Sequence, residues 1–176
     1  MNEQIDFLKL AAERYSVRKF ENRPIEKEDL QKILQAGHLA PTGCNNQPQR
    51  VLVMQSEEAI SKLRKCTKCH FGAPAAMLIC YNKNEIWTRP YDGKNCGVSD
   101  ACIVTTHMML EAANIGVGTC WVMYFDPAAM RKEFAIPEEL EPVALLVMGY
   151  PAKDAKPAPG HNEFREMSEL VVYDTF

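Results

Sequence analysis

The chain has 176 residues, 47% of them hydrophobic and 24% charged, with a formal charge of -3. A chain of this length fits one domain and buries roughly 70% of the surface it exposes when unfolded, which sets disordered and fibrous classes aside. With a pI near 5.8 and no Lys/Arg run longer than two residues, it offers phosphate backbones no attractive field, so nucleic acid is not an expected partner.

From the N-terminus, Ile5, Leu8, Ala11 and Ala12 recur at helical spacing and predict a short helix over 5–13, ending near Arg14. The first ten residues, Met1 to Leu10, carry Glu3 and Asp6 and do not resemble a secretory signal. Tyr15 to Phe20 is aromatic and branched and stops before Pro24, which predicts an extended segment with alternate side chains on one side. Leu30, Ile33 and Leu34 form the stripe of a second helix over 28–39, with Glu28 and Asp29 in its first turn, and Pro41-Thr42-Gly43 ends it.

Val51–Met54 and Met77–Tyr81 predict buried strands around a helix over 57–65. Ala101, Val104, Met108 and Ala112 predict a long helix that Gly116 and Gly118 terminate. Cys120–Phe125 and Val143–Met148 predict further strands, and Pro127 suits the first turn of a helix between them. Beyond Pro151 the composition turns polar and proline-rich, so 151–176 is expected to be an arm rather than core, with one more strand over Leu170–Tyr173. No stretch approaches the roughly 18 apolar residues of a membrane helix. Seven cysteines without framework spacing suit a reducing compartment. The expected location is cytoplasmic.

Two clusters carry candidate chemistry. Arg14, Ser16 and Arg18 alternate, so an extended backbone aims two guanidiniums and a hydroxyl one way; phosphate fits that donor set, and a solvated charged edge is the alternative. Ala40 to Pro48 places Asn45, Asn46 and Gln47 in a proline-bounded loop, where their amides suit a polyol or heterocycle edge or serve only as a turn.

The series Arg14-x-Ser16-x-Arg18-x-Phe20 followed by Ala-Pro-Thr-Gly-Cys-Asn45-x-Gln47-Pro48 resembles the opening of nitroreductase-family flavoproteins. Asp100 in its helix, Gly116-Val117-Gly118-Thr119-Cys120-Trp121 after it, and Val147 to Pro151 keep the order and spacing of short members of that family. The resemblance runs from about residue 8 to the C-terminus and covers the chain as one FMN-binding domain. It implies an α+β fold with a central mixed or antiparallel sheet flanked by helices, and a C-terminal arm exchanged between the subunits of a homodimer. It also implies an enzyme that moves hydride from NAD(P)H through FMN to a small acceptor such as a nitroaromatic or quinone. By the same resemblance, Arg14 and Ser16 hold the FMN phosphate and Arg18 approaches the pyrimidine edge. Asn45 and Gln47 reach the flavin from the partner chain. Trp121, Val122 and Met123 face the flavin near N5 through their backbone, although many relatives carry glycine where Met123 stands. Arg165 completes the phosphate clamp. No catalytic acid or base is assigned, because the cofactor carries the chemistry.

A competing reading rests on Cys66-Thr67-Lys68-Cys69-His70. It fits the C-x-x-C-H pattern of haem attachment and half of a zinc site, and would make the chain a non-enzymatic metal or haem carrier. No second close cysteine pair completes a zinc site, and His38, His70, His107 and His161 share no metal spacing. Neither G-x-x-x-x-G-K-[ST] nor G-x-G-x-x-G occurs, so a nicotinamide has no Rossmann pocket and would stack on the flavin.

Overall fold

The computed structural model describes residues 6–176. The predicted Ile5 of the first helix lies outside them. That helix, α1, spans Phe7–Glu13 and is capped by Asp6, whose side chain accepts the Lys9 N–H. The second, α2, spans Lys27–His38, with Glu28 and Asp29 in its first turn as expected. They are followed by β1 (Gln49–Met54), α3 (Glu57–Cys66), β2 (Ala75–Asn82) and α4 (Gly97–Asn114). The order continues through β3 (Gly118–Val122), α5 (Pro127–Phe134), β4 (Leu140–Gly149) and a single turn, α6 (Met167–Leu170). Local chemistry sets these boundaries: Ser56 caps α3, while Asp126 caps α5 with Pro127 at its first position.

The strands form one antiparallel sheet in the order β1-β2-β4-β3. Its two central strands are buried on both faces, which is why β2 and β4 read as unbroken apolar runs rather than alternating ones. Met77, Ile79, Leu146 and Met148 pack with Ile33 of α2 and Val104 and Met108 of α4. Their neighbours Leu78, Leu145 and Val147 face the other way, onto Leu63 of α3 and Met130 of α5. The result is an α+β fold, a sheet between two helical layers.

The extended segment after α1 runs beside β3. Ser16 pairs with Thr119 in the parallel sense, and the Val17 N–H donates to the Thr119 carbonyl at 2.8 Å. The sheet is therefore mixed at this edge. Glycine makes the approach possible: a Cβ on Gly118 would lie 2.7 Å from Val17 Cγ2 and 2.9 Å from Pro151 Cγ. At the far end, Phe20 pairs with Pro151, and the Tyr150 hydroxyl donates to Asp29 at 2.7 Å, joining the end of β4 to α2.

Two sequence expectations are corrected. The Cys120–Phe125 strand stops at Val122, because the Asp126 N–H turns away to the Cys66 carbonyl at 2.8 Å and starts α5. No strand forms over Leu170–Tyr173: the chain makes the turn of α6 through Leu170 and then lies exposed with no neighbouring strand to pair with. Before it, the chain from Ala152 carries one short 3-10 turn over Pro159–Asn162 and is held to the body by Lys19–Asp154 and by His161 at the Ala12 carbonyl.

Replacing Gly118 with Ala should push Val17 off β3. A loss of about 1–3 kcal/mol is expected from overpacking, read as a lower urea midpoint at unchanged m-value.

Candidate active site

The segment carrying Arg14, Ser16 and Arg18 is extended and pairs with β3. Arg14 leaves α1 with its N–H bonded to the Leu10 carbonyl, and Val17, 2% exposed, fills the space against Gly118. Burying that one valine is worth about 2 kcal/mol. It points inward, so Ser16 and Arg18 must point the other way. Counting forward in parallel from the Ser16–Thr119 pair brings Arg18 level with Trp121.

Beneath them lies the buried Cys120. Burial pushes its thiol pKa up, while the Arg18 charge, the Ser16 hydroxyl and the Arg14 charge act against that. All three side chains are thus near enough to Cys120 to act on it. The Arg18 guanidinium sits 5.9 Å from the centroid of the Phe71 ring and reaches the Ser16 carbonyl at 3.3 Å. Among the described residues no carboxylate pairs with Arg14 or Arg18, although Lys9, Lys19 and Arg23 nearby are all paired. Two unneutralised guanidiniums beside a hydroxyl have the charge and donor chemistry that suits an anion.

Trp121 is half-buried and Val122 buried, whereas Met123 is exposed. The Trp121 Nε1–H points to the Met123 sulfur at 3.2 Å. The end of β3 thus presents backbone and one flexible side chain to solvent on the level of Arg18.

Asn45 and Gln47 sit elsewhere. Cys44, Asn45 and Gln47 all hold positive φ (49°, 57° and 53°) in a tight turn, and Asn45 and Gln47 are exposed. Backbone in this region is costly for non-glycine residues and persists only where the surroundings impose it. Asp100 in the first turn of α4 imposes it: only 2% exposed, it accepts the Gly43 N–H on Oδ1 at 2.9 Å. Thr42 accepts the Gln47 N–H, and Asn46 donates to the Glu85 carbonyl. Arg14, by contrast, lines a cavity of about 140 Å³ with Ala113 and Val117 at the other end of α4. Asp100 and Ala113 stand 13 residues apart on α4, about 20 Å along the helix, so within one chain the amide loop and Arg14 lie toward opposite ends of it. Arg165 lies on the exposed arm, 3.4 Å from Glu169, with no hydrogen bond to the cluster.

The anchoring role of Asp100 and the positions of Cys120 and Phe71 were not read from the sequence. An acidic residue inside an apolar helix face was the available signal for the first; the other two come together only through folding.

In the Cys66–His70 pattern the side chains of Cys66 and His70 turn to nearby backbone groups. The Cys66 thiol is buried against the Lys62 carbonyl at 3.4 Å, and His70 Nδ1 accepts the Gly72 N–H. Among the described residues no three His, Cys, Asp or Glu side chains come together as metal ligands, and no helix is long and apolar enough to cross a membrane.

Comparison with known proteins decides the family. The model of the nitroreductase family matches residues 11–71 and 63–150. The chain belongs to the nitroreductase family. It is 32% identical over 158 residues to a proposed NADH dehydrogenase/NAD(P)H nitroreductase of Archaeoglobus fulgidus, covering 85% of this chain and 87% of that protein. It is 26% identical to the FMN reductase [NAD(P)H] of Bacillus subtilis, over 90% of this chain and 70% of that one. A nitroreductase family protein of Clostridium difficile 630, solved by crystallography, is 44% identical and superposes with a TM-score of 0.91, covering 98% of this chain and all of that one. The α+β architecture of this family member is thus the nitroreductase fold.

Asp100→Ala should release the amide loop. Leaving the buried Gly43 N–H unpaired costs about 1–3 kcal/mol, and the Gly43 amide should exchange with solvent faster than in the wild-type protein while amides of β2 keep their protection.

Proposed function

We propose that this nitroreductase-family chain is an FMN-dependent oxidoreductase that carries hydride from NAD(P)H to a small acceptor such as a nitroaromatic or a quinone. The observation that carries the reading is the convergence of Arg14, Ser16 and Arg18, with no carboxylate paired to either arginine. The cluster fits a phosphate monoester in charge and donor chemistry. FMN is the cofactor, in line with the FMN reductase similarity. When bound, it supplies the hydride chemistry that no side chain here provides.

Arg14 and Ser16 bind the phosphate. Arg18, level with Trp121, lies toward the ring system, where a fixed cation stabilises the negative charge that reduction adds and raises the potential. Trp121, Val122 and Met123 orient the ring through the exposed end of β3. Nothing in the cluster acts as a proton donor or acceptor; its part is to hold and to polarise.

The protein acts as a homodimer with shared sites. The separation of the 43–47 loop from the cationic cluster along α4 supports this, because Asn45 and Gln47 then serve the cluster of the other subunit. The arm supports it too: Phe164, Met167, Leu170, Tyr173 and Phe176 are all exposed in the single chain, an apolar surface that a second subunit would cover. In that arrangement Arg165 completes a phosphate site. The expected location remains the cytoplasm.

The purified protein should be yellow and release FMN on denaturation. Arg14→Ala should weaken FMN binding about tenfold or more, equivalent to about 1.4 kcal/mol, by fluorescence titration. Arg18→Ala should lower the midpoint potential of the bound flavin more than it weakens binding. A colourless protein that takes up no added FMN would overturn the reading, and an unchanged potential in Arg18→Ala would remove that residue from its role.

A further inference from the structure

The connection from α3 to β2 carries charge that the cationic cluster does not use. A cavity of about 440 Å³ opens where this connection meets the chain leaving β3. The end of α3 and the residues after it contribute Arg64, Lys65 and Lys68, and the chain leaving β3 contributes Tyr124 and Asp126. Hydrogen bonds join the two walls: the Thr67 hydroxyl donates to the Tyr124 carbonyl, and the Asp126 N–H to the Cys66 carbonyl. Lys65 is paired with Glu133 at 3.0 Å, and Asp126 is engaged as the cap of α5, accepting the Ala128 and Ala129 N–H groups. Among the described residues no carboxylate pairs with Arg64 or Lys68, although neighbouring Lys62 and Lys65 are both paired. The Arg64 charge also reaches the connection itself, where it adds to burial in lowering the His70 pKa.

The cavity adjoins the edge where the flavin ring would lie. Met123 immediately precedes Tyr124. Phe71, whose ring lies 5.9 Å from the Arg18 guanidinium, is three residues from Lys68, at most about 11 Å along the chain. Cationic cluster and cavity therefore flank the same short connection. The cavity belongs to the α3–α5 layer, across the sheet from α2 and α4, and includes none of the exposed arm residues that a second subunit would cover.

We propose that this cavity docks the 2′-phosphoadenosine end of NADPH, with Arg64 and Lys68 on the 2′-phosphate and the adenine against Tyr124, so that the chain prefers NADPH to NADH. The proposal rests on a nicotinamide nucleotide being the hydride donor. NADPH differs from NADH only in that phosphate, which carries roughly −1.5 to −2 charge near neutral pH. Telling the two apart takes cations that are not already neutralised and that lie away from the nicotinamide. Arg64 supplies a fork that matches phosphate oxygens in pairs, and Lys68 adds a compact charge. Tyr124 is 72% exposed, which leaves its ring open to a stacked base. With no G-x-G-x-x-G in the sequence, the adenosine end has to be held outside a Rossmann pocket.

The test titrates the purified protein, with FMN added, against 2′,5′-ADP, 3′,5′-ADP and 5′-AMP by calorimetry. The expected result is that 2′,5′-ADP binds about tenfold or more tightly than 5′-AMP. Arg64→Ala and Lys68→Ala should each remove most of that margin, and Lys68→Arg should keep it. Both residues are exposed, so the alanine variants should fold as the wild type does. In steady state the double variant should lower the NADPH-to-NADH ratio of kcat/KM about tenfold, through KM for NADPH rather than kcat. Equal binding of 2′,5′-ADP and 5′-AMP overturns the proposal, and so does a margin that survives in the double variant. Tighter binding of 3′,5′-ADP overturns it as well, because the pocket would then suit the 3′-phosphoadenosine of coenzyme A. A protein that shows the expected 2′,5′-ADP margin yet takes up no FMN would uphold the phosphate pocket while refuting the flavin reading.

Discussion

The structure depends on one close approach. The segment after α1 lies against the start of β3 only because position 118 has no side chain, and Val17 occupies the space a Cβ would take. With Val17 turned inward, the alternation of an extended chain leaves Ser16 and Arg18 turned outward, and Arg14 joins them over Cys120. A cationic site is thereby built on a sheet edge rather than on a free loop, and its geometry is inherited from a packed core. Each arginine alone is an ordinary surface charge. Their proximity without a neutralising carboxylate is what suits the edge to an anion.

The body behind that edge has a simple logic. β2 and β4 are apolar on both faces, so helices must cover both, and α2 with α4 on one side and α3 with α5 on the other do so. As the longest of these helices, α4 acts as a spacer. Its first turn holds the amide loop through Asp100, and its last turn borders the cavity beside Arg14. The two sets of polar residues lie toward opposite ends of α4, which gives the homodimer proposal its physical motive. The exposed apolar arm points the same way: a segment rich in Phe, Met, Leu and Tyr gains nothing from water.

The loop at 43–47 repays close comparison with the cationic edge. Both are polar, yet the edge is stabilised by core burial and the loop by a single buried carboxylate and a few side-chain hydrogen bonds. Its positive-φ residues store conformational cost, and it lies beside a cysteine at the start of α4.

By itself the sequence determined most of the elements and set Arg14, Ser16 and Arg18 at alternate positions of an extended segment. Periodicity located α2, α4 and the double-faced strands because burial on one helical stripe, or on both faces of a strand, writes itself into apolar spacing. The alternation of Arg14, Ser16 and Arg18 was legible for the same reason, as a local property of extended backbone. The strand expected at Leu170–Tyr173 failed because strand formation needs a neighbour, and local propensity does not say whether one is there. Only the tertiary structure decided that Gly118 admits Val17, that Asp100 holds a loop 57 residues away, and that Cys66 and His70 turn to nearby backbone groups instead of to a metal. These are contacts between segments distant in sequence, fixed by packing and hydrogen-bond satisfaction, and no local pattern encodes them.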